Sequence, residues 1–283
     1  MVNEARHLGR LKEIVLSQTA RPRIWVIGDG GSTDKSYSIA KELFRGHDWI
    51  YVIRQKNYSG EGYSHENFSN NVNDCLRYAR ALCANNNILY DFVGKTDATP
   101  ALDPDYFEVL QREMENNPKL AFTCGAQYIL QPDGRSYEHI KGFNDIRLYR
   151  REFLEEMGGY PVAFSPDTIL MIKALNRHWE VKKVPATSFK KSRIRGSKIG
   201  FWGGYRLIGK GMYRIGYNPI LLLMNAIFYT RTPPHYLGLA VVSGYMADLI
   251  RREEKIKDPE VLKYFWHDRL VQITKGMITE GNV

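Results

Sequence analysis

Three aspartates stand where α/β proteins do chemistry, just beyond a strand-like run or at the start of a helix. Asp29 opens Asp29-Gly30-Gly31-Ser32-Thr33-Asp34, directly after the apolar run Ile24 to Ile27. Glycines there let a ligand approach the backbone, and the carboxylate can accept hydrogen bonds from a base or a sugar. A plain tight turn has the same composition. Asp97, in Lys95-Thr96-Asp97-Ala98-Thr99, follows the strand-like Ile88 to Val93 and is placed to hold a divalent cation against phosphate oxygens. A lone strand-end aspartate also serves as a helix cap or turn former. Asp167 lies in Pro166-Asp167-Thr168 at a helix start, shortly after Gly158-Gly159-Tyr160. Its competing reading is an N-cap.

The elements that must position these residues alternate in period. Leu8, Leu11, Ile14 and Val15 share one face of a first helix, and Ile39, Ala40, Leu43 and Phe44 another, with Ser32 or Asp34 as its cap. Trp49 to Ile53 reads as a strand, followed by a polar loop from Gln55 to Glu66. A helix carries Phe68, Val72, Cys75, Leu76, Ala79 and Leu82. Pro104 opens a helix with Phe107, Leu110 and Met114, and Leu120 to Leu130 reads as a strand. Short helices are expected in Arg147 to Gly159 and in Asp167 to His178, and a closing strand in Trp179 to Val184. Helices alternating with strands predict an α/β sandwich around a mostly parallel sheet.

Composition narrows the function classes. With 283 residues, 43% hydrophobic and 25% charged, the chain can bury a core, which excludes a disordered tail. No stretch reaches the roughly 18 uninterrupted apolar residues of a membrane span. Cys75, Cys83 and Cys124 form neither a disulfide framework nor a CxxC metal pair. Residues 1 to 10 carry Glu4, Arg6, His7 and Arg10 in place of an apolar signal core, so the expected location is the cytoplasm. The formal charge of +9 is uneven. Between Val181 and Met246 there is no Asp or Glu but eleven Lys and Arg, so the rest of the chain is close to neutral. In that basic part aromatic residues interleave, and two apolar blocks follow, Tyr217 to Tyr229 and Tyr236 to Ile250. They read either as helices lying in a membrane interface or as ordinary core helices. Arg193 and Arg195 can hold a diphosphate or an acceptor phosphate, or be simply solvated.

Together, Asn3-Glu4-Ala5-Arg6, Ser17-Gln18-Thr19, Asp29-Gly30-Gly31-Ser32-Thr33-Asp34, Lys95-Thr96-Asp97-Ala98-Thr99, Leu102-Asp103-Pro104-Asp105-Tyr106-Phe107, Gly158-Gly159-Tyr160-Pro161 and Pro166-Asp167-Thr168 follow one order and spacing. In that order they resemble the family 2 glycosyltransferases, inverting enzymes with the nucleotide-sugar-binding GT-A fold. The likeness covers about residues 3 to 195. It implies a GT-A catalytic domain over 1–190 and a basic, aromatic-rich helical extension over 191–283. That extension resembles the tail of membrane-associated prokaryotic members, through Lys191-Ser192-Arg193-Ile194-Arg195.

By the same resemblance Asp29, with Gly30 and Ser32, binds the base of a UDP- or GDP-linked donor. Asp97 faces the ribose, diphosphate and a divalent metal, Mg2+ or Mn2+. Asp167 is the general base, and Gly158 and Gly159 lie on the acceptor side. Two departures stand out. The second acid of the Asp-x-Asp motif is Thr99, so either Asp97 holds the metal with waters and the diphosphate, or metal dependence is relaxed. The family's first strand normally precedes Asn-Glu, so the resemblance implies that it is missing here. The expected activity is sugar transfer to a glycan, hydroxyl or lipid-phosphate acceptor at the inner face of a membrane. Two other readings compete: a catalytically inactive nucleotide-sugar-binding or scaffold relative, and a nucleic-acid binder using the basic third.

Overall fold

The computed structural model describes residues 1–55, 65–130, 135–140, 143–191, 200–231 and 233–274. Most of the polar loop before Glu66 and both Arg193 and Arg195 lie outside these residues. The chain packs as two units, Met1–Leu170 with Arg177–Ser192, and Met171–Asn176 with Arg193–Val283.

The first unit begins with a 3-10 turn, Ala5–His7, and helix α1, Leu8–Leu16. Strand β1, Trp25–Asp29, helix α2, Ser36–Leu43, and strand β2, Ile50–Arg54, complete a parallel crossover. Leu8, Leu11 and Val15 of α1 pack against Ile27, Ala40, Phe44, Trp49 and Ile50, as their helical spacing requires. The β1–β2 register sets Asp29 opposite Arg54, so one residue pair at the strand ends is fixed by backbone pairing alone. On the other edge of β1 the Met1 ammonium donates to the Gly28 carbonyl at 2.7 Å, and Gly30 N–H to the Met1 carbonyl at 2.9 Å. That is one rung of a parallel ladder.

Helix α3, His65–Asn85, follows, then β3, Phe92–Lys95, β4, Ala101–Leu102, and α4, Tyr106–Asn116. Strands β5, Leu120–Leu130, β6, Ser136–Ile140, and β7, Arg147–Arg150, lead to α5, Arg151–Glu156, α6, Pro166–Asn176, and β8, Glu180–Lys191. The larger sheet has the order β3-β7-β5-β8-β4, with β6 on β5. The α/β class is as expected, but this sheet is mixed where a mostly parallel one was anticipated. Among the described residues β5 and β8 are its one pair of hydrogen-bonded parallel neighbours, with α5 and α6 lying between β7 and β8 in the chain. The short connections β5–β6 and β6–β7 leave no room for a crossover, so β6 and β7 pair antiparallel to β5. Strand β5 is almost wholly buried, which explains why apolar residues dominate it on both faces.

The motif pieces also hold each other. Gln18 Nε2 donates to the Asp103 carbonyl at 3.0 Å, and Thr19 N–H to the Pro104 carbonyl at 2.9 Å. Asp103 in turn accepts from Ser188 N–H at 2.8 Å and from its hydroxyl at 2.7 Å. This stitch fixes the far end of β8, which runs to Lys191 rather than stopping near Val184.

The second unit is helical among its described residues. It contains α7, Gly200–Arg214, α8, Pro219–Thr230, α9, Leu237–Arg251, α10, Pro259–Lys263, a π turn at Tyr264–Asp268, and α11, Arg269–Thr274. Asn218 and Asp258 cap α8 and α10 ahead of Pro219 and Pro259. Helices α7 and α9 cross so closely that a Cβ on Gly209 would strike the Val241 carbonyl and one on Gly244 the Arg206 carbonyl. Fully buried Asp248 accepts from Arg214 Nε at 2.8 Å. No described helix is long and apolar enough to cross a membrane; the apolar blocks are the separate helices α8 and α9.

Candidate functional site

At the end of β1 the Asp29 side chain is completely buried. It accepts from Arg54 Nε at 3.1 Å and from Ser32 N–H at 3.4 Å, while Arg54 Nη2 donates to the Ser32 carbonyl at 3.3 Å. The Arg54 guanidinium lies over the Tyr37 ring, 4.9 Å from its centroid. The Asn3-Glu4 piece holds this loop from the other side. Asn3 Oδ1 accepts from Thr33 N–H at 2.9 Å and Asp34 N–H at 3.3 Å, and Asn3 N–H donates to Ser32 Oγ at 3.0 Å. Asn3 does so in the left-handed region, φ 53°, which asparagine tolerates. Asp34 accepts from Ser36 N–H at 2.8 Å at the start of α2, in keeping with a capping role.

Space around Gly30 is tight. A Cβ there would lie 3.1 Å from Val2, 3.3 Å from the Asn71 amide and 3.5 Å from the Gln55 amide oxygen. Both polar atoms of the Gln55 side chain are buried with no hydrogen-bond partner among the described residues. A buried primary amide left unpaired is costly, and one donor beside one acceptor is what the edge of a nucleobase can satisfy.

Beyond β3 lies a denser cluster. The Asp167 carboxylate, 19% exposed, accepts from Lys95 Nζ at 3.2 Å and from the Tyr149 hydroxyl at 2.8 Å. Arg147 Nη1 donates to the Asp167 carbonyl at 2.8 Å. Although Asp167 sits in the first turn of α6, its carboxylate is engaged by β3 and β7 rather than by its own helix. Lys95 also donates to the Asp145 carbonyl at 2.6 Å. Burial by itself would lower the Lys95 pKa, but Asp167 first, then Tyr149, Asp145 and Asp97, outweigh it and raise the value above the ordinary lysine range. Burial, followed by the Asp167 charge, pushes the Tyr149 and Tyr160 phenols well up.

Asp97 is paired on the other side. Its Oδ2 lies 3.3 Å from Lys191 Nζ, which is also 3.1 Å from each carboxylate oxygen of Asp145. Thr99 is half-buried two residues on. The Lys95 ammonium is influenced by Asp167, Asp145 and Asp97, and the Met1 amino group by Cys75, Asp29 and Asp97. Gly158 and Gly159, with φ 72° and 108°, end α5 and turn the chain so that Asn73 brackets Tyr160, accepting from its N–H at 3.1 Å and donating to its carbonyl at 2.8 Å.

A divalent metal fits this donor set poorly. No group of three or more His, Cys, Asp or Glu side chains able to hold one is found among the described residues. Asp97, lacking a second acid at Thr99, faces an ammonium instead.

Sequence patterns did not single out Lys95, Arg147, Tyr149, Asp145, Lys191 or Gln55. For Lys95 a signal existed, since an ionisable residue ending an apolar strand two positions before Asp97 falls on the same side of the extended chain. For Lys191 there was none, because it reaches Asp97 only through the length of β8.

No protein-family model matches the chain, and no curated protein matches its sequence. Among solved structures, the mannosyltransferase PcManGT from Pyrobaculum calidifontis, in complex with GDP-Man and Mn2+, matches with a TM-score of 0.57 at 14% identity, over 98% of this chain and 78% of that one. A mycobacterial protein of unstated activity matches with a TM-score of 0.48 at 13% identity, over 75% and 71%. The first likeness is one of fold: the chain has a GT-A-like α/β architecture.

Proposed function

We propose that this protein is a glycosyltransferase that moves a sugar from a UDP- or GDP-linked donor to a hydroxyl or lipid-phosphate acceptor, with inversion at the anomeric carbon. The carrying observation is the run of Asp29, Asp97 and Asp167 at strand and helix ends of a GT-A-like unit. The GDP-Man bound in the Pyrobaculum enzyme supports a nucleotide-sugar donor. Asp29 and the Gln55 amide, which has no partner among the described residues, receive the base, with Gly30 and Ser32 shaping the loop. Asp97 lies toward the ribose and diphosphate. Asp167 takes the proton of the acceptor hydroxyl as its oxygen bonds to the anomeric carbon, the bond from that carbon to the diphosphate oxygen breaks, and the nucleoside diphosphate departs. Lys95 and Tyr149 hold the Asp167 carboxylate in place, so the base does not depend on its own flexible side chain. Gly158, Gly159 and Tyr160 border the acceptor side.

The acceptor reading extends to a membrane surface. Ile220, Leu223 and Ile227 form an exposed stripe on α8, and Leu239, Met246 and Ile250 another on α9, within the basic part of the chain. Such helices fit an interface of anionic headgroups at the inner face of a membrane.

The test is calorimetric titration of UDP and GDP, each with and without Mn2+, followed by assay of donor hydrolysis and transfer. Binding of one nucleotide with turnover of its sugar conjugate is expected. Binding without any turnover would replace the enzyme by a nucleotide-sugar-binding scaffold, and no binding would remove the donor reading altogether.

A further inference from the structure

A nucleoside diphosphate leaves with growing negative charge, and a cation held against it is one way for a site to stabilise that charge. In this chain the position of a second acid is Thr99, and the group beside Asp97 is Lys191. Its ammonium is clamped between Asp97 at 3.3 Å and both oxygens of Asp145 at 3.1 Å. The fold puts it there by construction. The β5–β8 register pairs Ile129 with Lys191, β4 pairs Ala101 with Lys190, and Asp103 grips Ser188 three residues earlier. The side chain is 18% exposed, so it is held by the protein yet open on one side. The two Asp145 contacts share one direction, which leaves N–H capacity for a phosphate oxygen.

At Asp97 itself the facing group is already an ammonium: Lys191 Nζ lies 3.3 Å from Oδ2, so a dication there would have to displace it or sit beside a like charge.

We propose that Lys191 is the resident cation of the donor site, contacting the diphosphate of the nucleotide sugar in place of a divalent metal held by two acids. This rests on the donor reading above. Asp97 and Asp145 then act as positioning residues for an ammonium.

The experiment titrates UDP, GDP, uridine and guanosine into the full chain, in EDTA and in Mn2+, for the wild type, Lys191→Gln and Lys191→Arg, with folding of each variant checked by circular dichroism. The expected result is a nucleoside diphosphate that binds in EDTA within about twofold of its affinity in Mn2+, and loses about tenfold or more in Lys191→Gln. The matching nucleoside is unaffected, and Lys191→Arg keeps most of the diphosphate affinity. Wild-type binding abolished by EDTA and restored by Mn2+, or Lys191→Gln binding the diphosphate as tightly as wild type, would overturn the proposal. So would an equal loss of nucleoside and diphosphate, which marks Lys191 as merely structural. Failure of every nucleotide to bind folded wild type in both conditions removes the donor reading and this inference with it, whereas metal-dependent binding removes this inference alone.

Discussion

At the scale of single residues the site is a small electrostatic device whose parts have separable jobs. Asp167 touches Lys95 and Tyr149 through its carboxylate but Arg147 only through its carbonyl. Asp167→Asn therefore keeps the shape and removes the proton acceptor. Transfer is expected to fall by about 10²–10⁴-fold while nucleotide affinity changes little; steady-state rates beside calorimetry check this, and unchanged turnover would end the role of base. Titration of the buried groups supplies a second expectation. Burial raises Cys75 from 9.0 to about 11, and Cys124, Tyr106, Tyr149 and Tyr160 are also raised; Lys95 and Lys191 are raised by their carboxylates despite burial. Every one of these shifts means that the folded state binds more protons than the unfolded chain at alkaline pH. Stability is thus complete below the ordinary thiol value of 9.0 and falls as pH rises above it. Burial lowers the Met1 amino group from 8.0 and acts in the opposite sense below that value, so urea midpoints compared from about pH 9 to about pH 11 should decline; a midpoint that rises across that range would contradict the burial of these groups. The three aspartates were legible because each ends or begins an element. Their partners were not, since Tyr149 and Arg147 sit on a strand, β7, whose short length hides it inside a stretch that reads as helical.

At the scale of elements, periodicity served where a helix or strand has one dry face. Strand β5 was legible to the residue, and α1, α3 and α4 by their three- and four-residue spacing. Strands β4 and β6 were not, being two and five residues long, and β4 pairs with β8, far away in the chain. The far end of β8 was hidden because Thr187, Ser188 and Lys190 interrupt its apolar pattern while Asp103 satisfies it. Glycines in helices offer a direct test of such packing. Alanine is favoured over glycine in a helix interior by about 1 kcal/mol, so Gly9→Ala in α1, which has open space around it, should be neutral or stabilising. At Gly244 the new Cβ meets the Arg206 carbonyl of α7, and backbone cannot step aside as a side-chain tip can. There the overpacking cost of about 1–3 kcal/mol outweighs propensity, and Gly244→Ala should lower the melting temperature. Thermal unfolding followed by circular dichroism compares the two variants; a Gly244→Ala protein that melts no lower than wild type would mean that α7 and α9 do not cross at this distance.

At the scale of the whole molecule the uneven charge matters more than its total. The formal +9 is concentrated between Val181 and Met246, where no acid occurs, and the same part of the chain carries the exposed stripe of α8 and, as far as Met246, that of α9. Either feature alone is weak evidence of a membrane surface. Basic side chains near an anionic surface contribute about 1 kcal/mol each, and are screened beyond roughly 8 Å at physiological salt. An apolar side chain fully removed from water contributes about 1.5–3 kcal/mol, and that term does not weaken with salt in the same way. A surface using both should bind anionic vesicles more tightly than neutral ones, lose part of that affinity as salt rises, and keep an apolar remainder. Leu223 and Ile227 are exposed and contribute nothing to the buried core, so Leu223→Asp with Ile227→Asp should leave folding intact while adding charge to the apolar stripe. Co-sedimentation with vesicles of phosphatidylglycerol and phosphatidylcholine, at two salt concentrations, is expected to show the double variant losing most of its association. Equal sedimentation of variant and wild type would assign the stripes to some other partner, and binding that vanishes entirely with salt would leave the basic residues as the only contact.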